Sequence, residues 1–230
     1  MKRFWRDVGV VAEAEGFVVT LDARTVRTPK RQPLLLPTRA LADLVAAEWR
    51  AQGETVQPDT MPINRLATSV VDLMPERRPA ALEQLLGYAR TDLLCYRAAG
   101  PENLLAAYRQ HWDPPLTWLA RTHGPELRVV EGLMPAAQNE AVIEGLQQRL
   151  VALDDWRLVG VHGITTVTAS LVLGLMVEAG ALTAEAAAAA ALVDEHAQQA
   201  RWGQEAEALG RERRLRGDVH AASSYLGALG

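Results

Sequence analysis

The segment LVDEHAQQARWGQEAEA, residues 192–208, places acidic, imidazole and indole side chains close together. Asp194 and Glu195 directly precede His196, and acids beside a histidine can form a metal site or an acid–base pair. If the segment is a helix that turns 100° per residue, His196 points away from the side that carries the acids. This geometry weakens an acid–histidine pair as the chemistry of the segment.

The same helix is expected to have two sides of opposite character. Residues suited to close packing against a neighbouring helix gather on one side, namely Val193, Ala197, Ala200 and Gln204. A carboxylate, two carboxamides and an indole gather on the other side, from Glu195, Gln198, Gln199 and Trp202. Three interpretations of that second side stay open: a solvated face, a protein-contact face around the tryptophan, or a lone carboxylate that acts as a general base.

The sequence lacks the common motifs of catalysis and nucleotide binding. It contains no phosphate-binding loop, no G-x-G-x-x-G, no G-x-S-x-G and no H-E-x-x-H. The histidines, at positions 111, 123, 162, 196 and 220, include no pair three or four residues apart, so a zinc site would need ligands from distant segments. Cys95 lies among apolar neighbours, which predicts a small buried side chain. We therefore expect no catalytic residue, no metal and no cofactor.

Composition and charge exclude several classes of protein. The net charge of −4 over 230 residues gives no broad basic surface, so no nucleic-acid partner is expected. The single cysteine allows no internal disulfide, and Arg6 and Asp7 interrupt any apolar signal segment near the start. Residues 158–177 carry no Asp, Glu, Lys or Arg, which is long enough for a membrane span. Its histidine, threonines and glycines, and its mixed flanks, predict a buried core helix without membrane insertion.

The elements that position these residues divide the chain in two. The stretches VGVVAEA, FVVTLD, ARTVRTP and residues 34–36 predict an antiparallel meander of short strands. Thr38 is a suitable N-cap for the following helix, RALADLVAAEWRAQG, and the loop GETVQPDTMP marks a boundary. We predict an α+β fold with an N-terminal α+β domain at 1–60 and a larger, mainly helical domain at 61–230.

The second part reads as a series of helices near 62–74, 78–90, 102–122, 136–152, 156–179 and 184–214. The pair Pro114-Pro115 must break or kink the third of these, and ELRVVEG is a possible late strand. Asp113 is expected to cap the following helix, and Asn64 and Arg65 to cap or pair across the domain boundary. Asp92, Tyr96 and Arg97 are expected to form a hydrogen-bonded brace around the segment DLLCYR.

Several segments occur in a specific order across nearly the whole chain, residues 3–226. They are LDARTVRTP, PLLLPTRALADLVAAEWRAQGE, MPINRLATSVVD, YARTDLLCYRA, QHWDPPLTWL and VDEHAQQARWGQEAEA. This ordered set resembles the chaperone family that assembles the soluble head of the F-type ATP synthase by holding its alpha subunit. The sequence TDLLCYRA before WDP is the most specific part of the resemblance.

The resemblance implies a function as well as a fold. Members of the family have a small strand-based domain followed by a helical one, act as monomers and are not enzymes. They bind newly made alpha subunit and shield the surface that later meets beta, which displaces the chaperone. The family relies on an acid matched by Asp194 or Glu195, with Gln198, Trp202 and Gly203 beside it. The helix geometry favours Glu195 as the acid of this partner-binding site.

Two positions depart from the family pattern, and one rival function stays open. The hairpin reads Asp22-Ala23-Arg24 where the family has Asp-Gly-Arg, so its turn type is expected to differ. Ala197 occupies a position that is usually aromatic. Without a visible mitochondrial presequence, we expect a protein of the bacterial cytoplasm, whereas eukaryotic relatives are found in the mitochondrial matrix. The rival is a hydrolase-like enzyme that uses Glu195 or Asp92 as general base.

Overall fold

The computed structural model describes residues 2–124, 126–132, 136–203 and 206–230; the side chain of Trp202 lies outside the described part. The chain opens with an antiparallel three-stranded sheet in the order β1-β2-β3. β1 (Val8–Glu13) and β2 (Gly16–Leu21) form a hairpin, and β3 (Arg24–Thr25) pairs with the other edge of β2. The predicted antiparallel strands are confirmed.

The predicted fourth strand, residues 34–36, is wrong. Leu36 forms only an isolated bridge with Phe17, in which each backbone N–H donates to the other residue's carbonyl at 2.8 Å. Pro33 and Pro37 flank this stretch, and a proline has no N–H for a strand ladder. Leu34 and Leu36 are nevertheless fully buried, so the stretch contributes to the core without extending the sheet.

In the turn between β2 and β3, the left-handed conformation falls on Asp22 and not on Ala23. Asp22 takes the left-handed φ of 52°, which spares Ala23 from a positive φ. The Asp22 carboxylate accepts hydrogen bonds from the backbone N–H groups of Asp7 and Arg6, both at 3.0 Å. These two hydrogen bonds lower the pKa of Asp22. The Asp22 side chain therefore stabilises this turn. The expected difference in turn type from the family stays a prediction.

The remainder of the described chain is mainly helical, which confirms the α+β fold. Two short strands, β4 (Tyr96–Arg97) and β5 (Val130–Glu131), pair in parallel, so the predicted late strand is confirmed. The helices are α1 (Arg39–Arg50), α2 (Pro62–Arg90), α3 (Glu102–His111), α4 (Asp113–His123), α5 (Glu140–Val151), α6 (Asp155–Thr168), α7 (Leu171–Glu178), α8 (Ala184–Ala191), α9 (Val193–Trp202) and α10 (Ala206–Gly227).

The division of 62–90 into two helices is wrong, because α2 continues through Pro75 and Pro79. Both prolines lie on the exposed side of the helix, where water can satisfy the carbonyl groups that lose an N–H partner. The opposite side of α2 carries the buried Val70, Met74 and Leu85. A continuous apolar stripe therefore outweighs the local cost of the two prolines.

Three further predictions concern breaks between helices. Two of them need correction and one is confirmed. The segment 156–179 divides into α6 and α7, because Ala169 adopts φ 55° and the Ser170 hydroxyl accepts from the Leu173 N–H at 3.2 Å. The segment 184–214 divides at Leu192 and Gly203, and α10 extends to Gly227. The predicted break at the Pro-Pro pair is confirmed, since α3 ends before α4 begins there. Within the described residues, none of the helices has the length and apolar character needed to cross a membrane.

Side chains connect the N-terminal sheet region to the helices that follow. The predicted N-cap Thr38 is confirmed, because its hydroxyl accepts from the Leu41 N–H at 3.1 Å. The Trp49 indole N–H donates to the Asn64 amide oxygen at 3.1 Å, which confirms that Asn64 pairs across the expected boundary. Arg65 pairs instead with Asp218 of α10, at 3.6 Å. The division into domains at 1–60 and 61–230 stays a prediction.

Candidate partner-binding site

Helix α9 carries the candidate site, and its bounds are set by local backbone features. It begins after Leu192, where α8 ends, and it ends at Gly203, whose N–H donates to the Gln199 carbonyl at 2.9 Å. Gly203 has a φ of 93°, which only glycine adopts without strain, so this residue terminates the helix. Gly203 therefore belongs to the candidate site because it ends α9 and changes the direction of the chain there.

One side of α9 packs against α3 through a partly buried hydrogen bond. The Tyr108 hydroxyl donates to the Asp194 carboxylate, and Tyr108 is almost fully buried with its ring 4.2 Å from that of Trp112. Burial, together with this hydrogen bond to Asp194, raises the pKa of Tyr108 to about 12. Asp194 therefore fixes α9 to the helical core.

The packing side predicted for α9 is confirmed for two residues and wrong for a third. Val193 is buried and Ala197 is half-buried, as their small size predicts. Ala200 is exposed because it borders an open groove between α9 and α10. Gln204 lies outside the described residues.

An ion pair supports Tyr108 from the opposite direction. Arg97 donates from its guanidinium to the Asp113 carboxylate at 2.5 Å, and the same guanidinium lies 5.9 Å from the centre of the Tyr108 ring. The predicted cap role of Asp113 is wrong: Asp113 is the first residue of α4 and Trp112 is the capping residue. The chain of contacts Asp113, Arg97, Tyr108 and Asp194 joins α4 and β4 to α3 and α9.

The predicted brace of Asp92 with Tyr96 and Arg97 is wrong. Asp92 is fully buried, and its carboxylate accepts from the backbone N–H groups of Leu94 at 3.2 Å and Val172 at 3.1 Å. Burial raises the pKa of Asp92 to about 6, although these hydrogen bonds favour the charged form. Asp92 thus ties the loop after α2 to the start of α7 and does not reach solvent.

The side of α9 that carries Glu195 and Gln198 is called the available side of the helix. Glu195 is half-buried and Gln198 is exposed, and neither side chain hydrogen-bonds to another residue in the described part of the chain. Gln199 is half-buried, and its side-chain nitrogen is buried without an acceptor among the described residues. Trp202 belongs to the helix, but its side chain is outside the described part. Gln199, which was expected on this side, lines the groove beside His196 and Ala200 instead. The contact face of Glu195, Gln198 and Trp202 stays a prediction.

His196 faces α10 and not the neighbouring acids. Its Nε2 atom lies 3.3 Å from a carboxylate oxygen of Glu212, whereas neither Asp194 nor Glu195 pairs with it. This confirms that residues 194–196 do not form an acid–histidine pair. Arg216 hydrogen-bonds to Glu212 and thereby lowers the pKa of the Glu212 carboxyl. The hydrogen bond from His196 lowers that pKa further.

A groove of about 1100 Å³ lies between α9 and α10. Its lining combines small, apolar and charged side chains: His196, Gln199, Ala200, Gly203, Leu209, Glu212, Arg213 and Arg216. Arg216 and Glu212 pair at 2.8 Å on one wall. The groove borders the available side of α9, so the two surfaces are continuous along the helix.

The described residues offer little for catalysis or metal binding. Across the described ranges, no group of three or more histidine, cysteine, aspartate or glutamate side chains could hold a metal ion. Cys95 is buried as predicted, and burial raises the pKa of its thiol to about 12, which leaves it protonated and unreactive at neutral pH.

Sequence reasoning missed Tyr108, Arg97 and Glu212 as determinants of the site. Tyr108 occurs in ENLLAAYRQH, where nothing distinguishes it from an ordinary core residue. The spacing of Glu212 and Arg216, four residues apart, does indicate a pair along α10. No local pattern indicates that α10 returns to face His196.

Comparison with known proteins gives a consistent result. A sequence profile described as "ATP12 chaperone protein" matches residues 2–120. The protein Atp12, mitochondrial, of Schizosaccharomyces pombe is 24% identical over 214 residues, covering 88% of this chain and 74% of the relative. The crystal structure of Atp12 from Paracoccus denitrificans matches with a TM-score of 0.92 and 36% identity, covering 100% of this chain and 98% of that one. A crystal structure from Agrobacterium tumefaciens also has a TM-score of 0.92, with 38% identity, and covers 100% and 86%.

Proposed function

The chain belongs to the ATP12 chaperone family, and we propose that it binds the unassembled alpha subunit of the F-type ATP synthase through the available side of α9. The family resemblance predicted from the sequence is confirmed, and the protein is an ATP synthase assembly factor. What we propose beyond this is the specific client, the alpha subunit, and the residues that bind it. In this account the chaperone shields the beta-facing surface of alpha until beta displaces it.

One observation carries the proposal: the two adjacent acids of α9 lie in different environments. Asp194 is engaged by Tyr108 in the α3 contact, whereas Glu195 has no partner within the described part of the chain. A carboxylate that already accepts a hydrogen bond within the fold stabilises that fold, and a carboxylate without a partner is available for another protein. We therefore assign Glu195 as the contact acid and Asp194 as the residue that positions it.

The proposed contact suits a chaperone whose client must later be released. An unassembled subunit exposes apolar interface that would otherwise aggregate, so it needs a cover. A carboxylate that meets a basic group on alpha contributes specificity and a fast encounter more than affinity, which keeps the complex displaceable. Gln198 is exposed beside Glu195 and supplies further polar contacts at the rim of this surface.

We propose that the protein acts without catalysis. The carboxylate of Asp92 is enclosed and bonded to backbone N–H groups, so it has no access to a substrate. Glu195 has no histidine or second acid to share a proton with, because His196 faces Glu212. These placements disfavour the hydrolase that the sequence left open.

The proposed setting is the bacterial cytoplasm, with the chaperone as a monomer. The similar structures from Paracoccus denitrificans and Agrobacterium tumefaciens are bacterial, and the Schizosaccharomyces pombe relative is mitochondrial by its name. This distribution supports a cytoplasmic protein in a bacterium and a matrix protein in mitochondria. Neither nucleic acid nor membrane insertion has a part in the proposal.

The test is co-purification of the tagged chain with alpha and beta from cells, followed by titration with purified alpha. Glu195→Lys is expected to lose alpha, because it replaces the contact acid with the opposite charge. Glu144→Lys on α5 is the control: it makes the same charge change at an exposed glutamate away from α9. Recovery of alpha without beta by wild type and by Glu144→Lys, but not by folded Glu195→Lys, supports the proposal. Equal recovery by all three moves the contact away from Glu195, and failure of wild type to bind alpha refutes the client.

A further inference from the structure

We infer that the groove between α9 and α10 is a second docking surface, and that it holds a segment of the alpha subunit in which a carboxylate lies beside apolar side chains. This inference rests on the proposed function, because it names a second contact with the same client. It concerns different residues from Glu195, so the two can be tested separately.

The lining of the groove contains an arginine whose terminal nitrogens lack a carboxylate partner within the described residues. The Nε atom of Arg213 reaches only the Leu209 carbonyl of its own helix, at 3.4 Å. The terminal nitrogens of Arg213 have no carboxylate partner within the described ranges. An occupant that supplies oxygen acceptors would bond to these nitrogens.

The charges along the groove favour a negatively charged occupant. Two guanidinium groups, Arg213 and Arg216, face a single carboxylate, Glu212. Glu212 is already committed to Arg216, at 2.8 Å, and to His196, at 3.3 Å. Arg213 therefore remains as a positive charge that an incoming carboxylate can neutralise, with the two-pronged geometry that a guanidinium allows.

The groove also presents apolar surface, which distinguishes a protein segment from a small anion. Leu209 is 38% exposed at the groove, and Ala200 and Gly203 leave space opposite it. A free phosphate or carboxylate would leave Leu209 in water. A protein segment with an acidic residue next to apolar ones covers Leu209 and meets Arg213 at the same time.

The first test compares two substitutions with equal charge change on one helix. Arg213→Glu is expected to raise the Kd for purified alpha by about tenfold, the size of a lost interfacial charge contact. Arg214→Glu is the matched control, because Arg214 is exposed next to it and does not line the groove. That control is expected to change Kd by less than about twofold. Circular dichroism and the thermal midpoint of each variant establish that both are folded.

The second test identifies the carboxylate on the client. Arg213→Lys keeps the positive charge and adds an amine that a carbodiimide can couple to a nearby carboxylate. We expect a cross-link to one acidic segment of alpha, identified by mass spectrometry, and no comparable product from Arg214→Lys. A Leu209→Ser variant is expected to weaken binding without loss of the fold, because Leu209 is already partly exposed.

The outcomes separate the groove from the proposed function. If wild type binds alpha and Glu195→Lys weakens binding, while Arg213→Glu behaves like Arg214→Glu, the groove inference is overturned and the contact at Glu195 stands. Cross-links formed equally from both lysine variants would overturn it as well. If wild type does not bind alpha, the proposed client is wrong and the inference about the groove falls with it.

Discussion

The two sides of α9 differ in what their acidic residues do. Asp194 faces α3, where it accepts the hydrogen bond of the buried Tyr108. Glu195, the next residue, lies on the side where Gln198 is exposed. Successive residues on a helix are 100° apart, so adjacent acids point in different directions. The difference teaches that the position around the helix, and not the residue type, decides whether an acid stabilises the fold or remains available.

The largest expected effect is on the packed side. Tyr108→Ala removes a buried aromatic ring from its contact with Trp112 and leaves the Asp194 carboxylate without its donor. We expect the free energy of unfolding to fall by about 3–5 kcal/mol, measured by urea denaturation. Tyr108→Phe keeps the ring and removes only the hydroxyl, so its expected loss is about 1–3 kcal/mol. A loss below about 0.5 kcal/mol for both variants would contradict the anchoring role of this contact.

Asp92 extends the comparison to an acid with no solvent contact. Burial raises its pKa to about 6, so the native protein holds this proton more tightly than the unfolded chain does. The resulting stabilisation is fully present below about pH 4 and is lost as pH rises through about 6. Wild type should therefore gain unfolding free energy over Asp92→Asn as the pH falls from 7 to 4, on the order of 3 kcal/mol. A difference between the two proteins that is constant with pH would contradict the burial effect.

A smaller loss of unfolding free energy is expected from a substitution at the end of α9. Gly203→Ala places a side chain at φ 93°, where nothing lies within 4 Å, so backbone strain is the only cost. We expect a loss of about 1 kcal/mol in unfolding free energy. Gly53→Ala is a suitable control, since that glycine also has open space and no left-handed φ. Equal stability of the two variants would show that the conformation of Gly203 does not terminate α9.

The smallest expected effect on stability is on the available side. Glu195→Ala removes a carboxylate that has no partner in the described part of the chain. The unfolding free energy should change by less than about 0.5 kcal/mol, measured by the same urea titration. A larger loss would mean that Glu195, like Asp194, stabilises the fold, and the distinction between the two sides of α9 would fail.

Much of the fold could be predicted from local signals. Alternating β-branched residues predict β1 and β2, and the hydroxyl of Thr38 indicates where α1 begins. The continuity of α2 could not be predicted, because Pro75 and Pro79 are local helix breakers that tertiary packing tolerates. The break at Ala169 could not be predicted either, because alanine rarely adopts a left-handed φ and is otherwise a strong helix former.

The candidate site was predictable only where it lies within one helix. The periodicity of α9 separates Val193 from Gln198, and the structure agrees, since Val193 is buried and Gln198 is exposed. The periodicity does not indicate which distant residue meets Asp194, because Tyr108 is 86 residues away in the chain. The exposure of Ala200 depends on the direction that α10 takes after Gly203, which helical periodicity does not contain.

The most direct test of the central claim is site-specific photo-cross-linking to purified alpha. A photoreactive amino acid placed at Gln198 reports on the available side of α9, and the same residue at the exposed Gln147 of α5 serves as the control. We predict a cross-link to alpha from position 198 that disappears when beta is added, and none from position 147. Equal cross-linking from both positions, or none from position 198 while alpha is bound, would contradict the claim that this side of α9 holds the client.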